Sequence, residues 1–235
     1  MKASTLAALR RARAEKRPVA VVTAIGSGMQ ALVAGNEVSG ELSPPAAVVA
    51  KAQEALQHDQ SGTIEYEGER YFIHAFNPPL RLVVVGAVHI SQPLARIAEL
   101  SGYDVTLVDP RGSFATADRF PGLKLMDDWP DEALEKLRLD TRTAVVTLTH
   151  DPKLDDPALH VALRSPVFYI GALGSRKTHA SRVSRLREAG FTDEQIDRIH
   201  APVGLNLGGR APAEIALAVM AQVTQVLHGA REGAA

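Results

Sequence analysis

From Arg81 onward the chain repeats one unit, a short apolar run followed by a stretch of helical periodicity, and this alternation admits few architectures. The first run, Leu82 to Val85, is apolar at every position and stops at Gly86. A strand apolar on both sides must be covered on both faces, as in a parallel sheet flanked by helices. The pattern predicts a helix from about Ser91 to Leu100, a strand from Asp104 to Val108, a short segment near Leu123 and a helix after Trp129-Pro130. Later strands are expected at Thr143 to Leu148, Val167 to Ile170 and Ile199 to Ala201, with helices from about Pro157 to Leu163 and Lys177 to Ala189. Thr192 to Gln195 matches a capping box, and a final helix opens at Pro212 and buries Ile215, Val219, Val223, Val226 and Leu227. The expected class is α/β, with a doubly wound parallel sheet over residues 80–235.

The residues before this region read differently. Met1 to Arg17 is rich in Arg and has no acid before Glu15, but it reads as a plain helix rather than a transit peptide. Ser4 is its expected cap, and Leu6 and Leu9 its apolar side. Val19 to Ala24 is a buried strand, Ala31 to Ala34 a second one, and Pro44-Pro45 opens a helix with Val48, Val49, Ala52, Ala55 and Leu56 inward. A hairpin turns at Glu67-Gly68. Pro78-Pro79 is the expected boundary, giving a small α+β N-terminal domain over residues 1–79.

Composition removes several kinds of chemistry. With no cysteine, the chain forms no disulfide, thiolate metal site, Cys nucleophile or persulfide of its own. Its 26 Lys+Arg against 27 Asp+Glu leave a net charge of -1, which argues against nucleic acid as a partner. No apolar run approaches the roughly 18 to 20 residues of a membrane span, so a cytoplasmic protein is expected.

In a doubly wound sheet the ligand sits beyond the carboxyl ends of the strands, so the loops there are the candidates. The first, Gly86 to Ser91 with His89, stands where a dinucleotide fold has G-x-G-x-x-G but keeps only the first glycine. Val88 occupies the position where the backbone approaches a pyrophosphate, and its isopropyl group obstructs a dinucleotide in the usual pose. Asp109 ends the second strand where an acid meets a ribose, but Pro110 and Arg111 follow it. NAD(P) is therefore not the expected cofactor. The third loop offers His150, Asp151, Asp155 and Asp156, suited to acid–base work or a hard metal ion, or to helix capping with His150 bonded to a loop carbonyl. Capping is preferred, and no metal ligand is assigned.

The fourth loop, Gly171 to His179, is the most specific. Gly171 and Gly174 allow a tight turn, Ser175 precedes a helix, and Arg176 and Lys177 add positive charge at its amino end. Such charge is unfavourable there unless an anion offsets it, and the planar guanidinium of Arg176 gives it the larger expected share in gripping a phosphate. The fifth loop carries Gly208, Gly209 and Arg210, which bring backbone amides and a guanidinium toward a ligand or simply form a turn, with Glu214 as a cap contact or an orienter of Arg210.

At these residues the chain resembles the XdhC/CoxI family, the accessory proteins of xanthine dehydrogenase and related molybdenum hydroxylases. The stretches that carry the resemblance are VVVGAVHISQPLARIAELSGYDVTLVDPR, VVTLTHDPKLDDPAL, FYIGALGSRKTHASRV and HAPVGLNLGGRAPAEIALAVMAQV, in that order between about Leu80 and Val226. The resemblance implies a Rossmann-like C-terminal domain, a homodimer, and binding of the molybdenum cofactor, of the molybdopterin type, for delivery to a molybdenum hydroxylase client. Without cysteine the sulfur for that cofactor would come from a partner cysteine desulfurase. The N-terminal residues depart from the family's usual glycine-rich, sometimes Cys-bearing domain. No residue set forms a complete catalytic constellation, so no catalytic residue is assigned. The chain reads as a maturation factor, with an NAD(P)-dependent oxidoreductase as the alternative and a structural or regulatory partner protein as the third reading.

Overall fold

The computed structural model describes residues 2–229, which divide into one unit ending at Pro78 and a second beginning at Pro79. The first contains α1 (Ala3–Ala14), β1 (Val19–Ala24), β2 (Gln30–Ala34), β3 (Glu37–Gly40), α2 (Ala46–Gln57), β4 (Gly62–Tyr66) and β5 (Glu69–Phe76). The strands form an antiparallel sheet in the order β3-β2-β1-β5-β4. Central β1 alternates its side chains between two clusters: Ala20 and Val22 meet Val48 and Ala52 of α2, while Val19 and Val21 meet Leu9 and Ala12 of α1. Strand alternation thus explains why every residue of its apolar run finds cover. Two details of α1 differ from expectation. Ser4 lies inside the helix rather than capping it, and Leu6 is exposed, because the inward stripe runs through Thr5, Leu9 and Ala12 at helical spacing.

The second unit contains β6 (Arg81–Val85), α3 (Ser91–Leu100), β7 (Asp104–Val108), β8 (Lys124–Met126), α4 (Pro130–Leu137), β9 (Thr143–Thr147), α5 (Pro152–Arg164), β10 (Tyr169–Ala172), α6 (Arg176–Glu188), α7 (Asp193–Ile196), β11 (Ile199–His200) and α8 (Pro212–Leu227). Its six strands are parallel, in the order β11-β10-β9-β6-β7-β8. This is the doubly wound order, and the direction of winding reverses between β6 and β9. Leu82 and Val84 pack with Leu94 of α3 and Val219 of α8, while Val83 and Val85 pack with Leu134 of α4 and Leu159 of α5. Both faces are dry, as the unbroken apolar strands require. Among the described residues no helix is long and apolar enough to cross a membrane.

Two boundaries shift in ways that matter for the site. Helix α5 starts at Pro152, not near Pro157, because Asp151 caps it by accepting the Lys153 N–H at 3.0 Å and Pro152 suits the first helical position. Pro157 then lies inside the helix, which gives up one backbone bond there. Strand β10 runs through Gly171, so this glycine is a strand residue rather than part of a turn. A Cβ at Gly171 would lie 2.6 Å from Val203 Cγ2 and 2.8 Å from Tyr169 Cε1, so its small size serves packing.

Candidate functional site

The loops after β6 and β9 meet at the point where the winding reverses. Gly86 has a left-handed backbone, φ 109°, and a Cβ on it would lie 2.5 Å from Thr149 Cγ2. Ser91 Oγ donates to the Gly86 carbonyl at 2.5 Å and closes the first loop from within. His89 is exposed, and Val88 is half-buried against the cluster containing Leu82 and Leu94. The Asp109 carboxylate, fully buried, reaches across from β7 to accept the Ala87 N–H at 2.7 Å. Its remaining capacity is taken by Arg111, through the backbone N–H at 3.0 Å, Nε at 2.8 Å and Nη2 at 2.7 Å. Burial alone would push the carboxyl up, but the Arg111 guanidinium and the two N–H groups prevail and hold it below its ordinary range. Arg111 in turn stacks over the Phe114 ring at 4.4 Å and feels the charges of Asp151 and Asp155 from the third loop.

That third loop is tied inward by Thr149, whose Oγ1 donates to Asp155 Oδ1 at 2.6 Å. Asp151 is the α5 cap, so the capping role holds for it, whereas His150 stands in a left-handed conformation, φ 61°, and faces a pocket. The pocket, about 260 Å³, lies between the start of α5 and the first turns of α6. Its wall includes His150, Asp155, Lys177, Thr178, Ser181, Arg182 and Arg185. Arg185 is committed to Asp156 by two bonds, at 2.5 and 2.9 Å. Asp155 and Arg182 are each 2% exposed, yet Asp155 Oδ2 and Arg182 Nη2 stand 3.7 Å apart. Arg182 Nη2 donates instead to the Leu173 carbonyl at 2.9 Å, while its Nε and Nη1 and Asp155 Oδ2 have no hydrogen-bond partner among the described residues. Burial pushes the Asp155 carboxyl up, against the opposing pull of Thr149 and Arg182. A buried charged donor left unpaired costs about 1–3 kcal/mol or more, so these atoms mark a strained or ligand-ready site.

Ser175 caps α6, accepting the Thr178 N–H at 3.1 Å, and Gly174, φ 145°, makes the sharp entry. Lys177 and Arg176 are both exposed, and of the two only Lys177 lines the pocket. The glycine-rich end of the fifth loop is separate. Gly208, Gly209 and Arg210 line a different pocket, about 350 Å³, that shares no lining residue with the first. A Cβ on Gly209 would lie 2.5 Å from Glu214 Cβ, and Glu214 Oε2 accepts the Arg210 and Ala211 N–H groups at 2.9 and 3.0 Å. Glu214 is thus a cap for α8. Four of the five loops are chained together by contact, and the fifth joins the fourth at its start, where the Val203 N–H donates to the Ala172 carbonyl at 3.2 Å, while Gly208, Gly209 and Arg210 line their own pocket.

Sequence reasoning names Asp155 only within the third loop's carboxylate cluster and gives no role to Thr149 or Arg182. One signal for Arg182 was available: it stands four residues before the buried Leu186, on the inward side of α6. An arginine there needs a buried partner.

Residues 82–223 match the XdhC Rossmann domain family. The chain is 34% identical over 154 residues to the molybdenum cofactor insertion chaperone PaoD of Escherichia coli strain K12, covering 65% of this chain and 42% of that protein. It is 31% identical over 155 residues to a probable xanthine dehydrogenase subunit of Bacillus subtilis strain 168, covering 66% and 45%. It therefore spans less than half the length of these curated relatives. A crystal structure described as a xanthine dehydrogenase from Bacillus halodurans shares the fold, with a TM-score of 0.76 at 24% identity over 96% of this chain and 67% of that one. The parallel sheet, its winding order and the match over most of the second unit together establish that the chain belongs to the XdhC family.

Proposed function

We propose that this chain binds the molybdenum cofactor and passes it to a molybdenum hydroxylase of the xanthine dehydrogenase type. The observation that carries this reading is the pocket at the start of α6, where Lys177 and the half-paired Arg182 supply positive charge and donors for an anionic ligand. Family membership and the name of the relative PaoD support the molybdenum cofactor as that ligand. Gly86, Asp109 and Arg111 support the loops behind the pocket, and His150 and Asp151 shape its rim; Gly208, Gly209 and Arg210 stand as a second contact region. A homodimer and a cysteine desulfurase as sulfur source belong to the same reading, since a chain without cysteine does not relay sulfur covalently.

The doubly wound strand order also favours a second reading, an NAD(P)-dependent oxidoreductase. It ranks lower because Asp109, at the ribose-binding position of that fold, is already saturated by Ala87 and Arg111.

Cofactor retention separates the basic residues. With chain purified from a molybdenum-replete host, Lys177→Ala is expected to lose bound pterin by about fivefold or more and Arg176→Ala by less, since Lys177 lines the pocket. Equal retention in both variants and in the unmodified chain would remove the α6 pocket from the binding site.

A further inference from the structure

Arg182 is buried to 2% exposure with only one of its nitrogens bonded, Nη2 to the Leu173 carbonyl. Nε and Nη1 are buried without partners among the described residues, and Arg182 is one of the residues lining the pocket. Lys177 and the hydroxyls of Thr178 and Ser181 stand in the same wall. The amino end of α6, a 13-residue helix, adds free N–H groups, of which Ser175 satisfies that of Thr178. The helix opens on Arg176-Lys177 with no acid in its first turn, the reverse of the usual preference. A buried guanidinium, an ammonium and two hydroxyls thus belong to residues around one space at a helix amino end, and that set complements an oxyanion.

Asp155 is the carboxyl that faces this space. Burial pushes this carboxyl up from its ordinary value, which weakens its opposition to an anion in the same space. The geometry points to a phosphate monoester site in this pocket, with Arg182 as its buried anchor and Lys177 and the first turn of α6 completing it. The site stands on the pocket's own donors; only the carrier of the phosphate rests on the cofactor reading. A pterin phosphate and a nucleotide phosphate share the chemistry.

Calorimetry of the full chain with inorganic phosphate, and separately with cytidine monophosphate, tests the site. Saturable phosphate binding is expected, weakened about tenfold or more by Arg182→Met, the scale of a charge-assisted hydrogen bond, and less by Arg182→Lys. Ser181 is exposed and lines the pocket, so Ser181→Trp places bulk in it and keeps the test available if Arg182→Met does not fold. Tighter binding of cytidine monophosphate than of phosphate assigns a nucleotide as carrier; binding no tighter assigns the pterin's own phosphate. No phosphate binding by the unmodified chain, or unchanged binding in Ser181→Trp and Arg182→Lys alike, overturns the site. Arg182-dependent phosphate binding in a chain that never carries pterin overturns the cofactor reading alone, and pterin carried by a chain that binds no phosphate overturns this site alone.

Discussion

Asp109→Ala is expected to lower the free energy of unfolding by about 2–4 kcal/mol, read as a lower urea midpoint at unchanged slope. The carboxylate is fully buried and accepts four hydrogen bonds, one from Ala87 and three from Arg111. Removing it orphans the buried Ala87 N–H and frees the loop that starts at Gly86, although Arg111, partly exposed, recovers some hydration. Against a total stability of about 5–15 kcal/mol this is a large fraction. The effect should depend on pH. A carboxyl held below its ordinary value of 3.8 in the folded chain contributes stability above that value and loses it as pH falls through the lower, folded value. The gap between the unmodified chain and Asp109→Ala should therefore close in acid. Asp155 has the opposite sign: its raised carboxyl costs stability as pH rises from 3.8 through the folded value, and Asp155→Asn should remove that dependence. A gap that stays constant across the acid range would contradict the bonding described for Asp109.

A strain lacking this chain is expected to make its molybdenum hydroxylase client at ordinary levels but to recover little of its activity. Two observations lead there. The second unit offers a pocket suited to an anion, and with no cysteine in the sequence sulfur transfer falls to another protein. A carrier of a finished cofactor needs only the pocket. Carriers act in amounts comparable to what they deliver, so reconstitution of the apo-client with cofactor-loaded chain should need near-equal quantities. Full activity restored by trace amounts would indicate turnover, and normal client activity in the deletion strain would end the delivery reading.

Much of the second unit was legible because its signals are local. Leu82 to Val85 is apolar at every position and ends at a glycine, and α8 opens at Pro212 with an apolar stripe behind it. Helix α5 begins at Pro152 rather than near Pro157, and the signal for that start, the cap-and-proline pair Asp151-Pro152, lies among carboxylates that also suit other chemistry. Gly171 looked like a turn residue because a strand's end is not marked in its own composition, only in what Val203 and Tyr169 leave no room for. The centre of the site was the least legible part. Asp155 and Arg182 lie on different helices, and their burial beside Thr149 depends on how α5 and α6 pack over β9 and β10. Arg176 and Lys177, adjacent in sequence, point to different surroundings, and only the helical rotation between them decides which lines the pocket.

Whether this chain carries a molybdenum-bearing pterin is measured directly by purification from a molybdenum-replete host, followed by pterin fluorescence after oxidation and by elemental molybdenum analysis. Both are expected in amounts comparable to the chain, and both should vanish together in a host unable to make the pterin. Folded chain recovered free of pterin and molybdenum from a host whose molybdenum hydroxylases are fully active would contradict the carrier role.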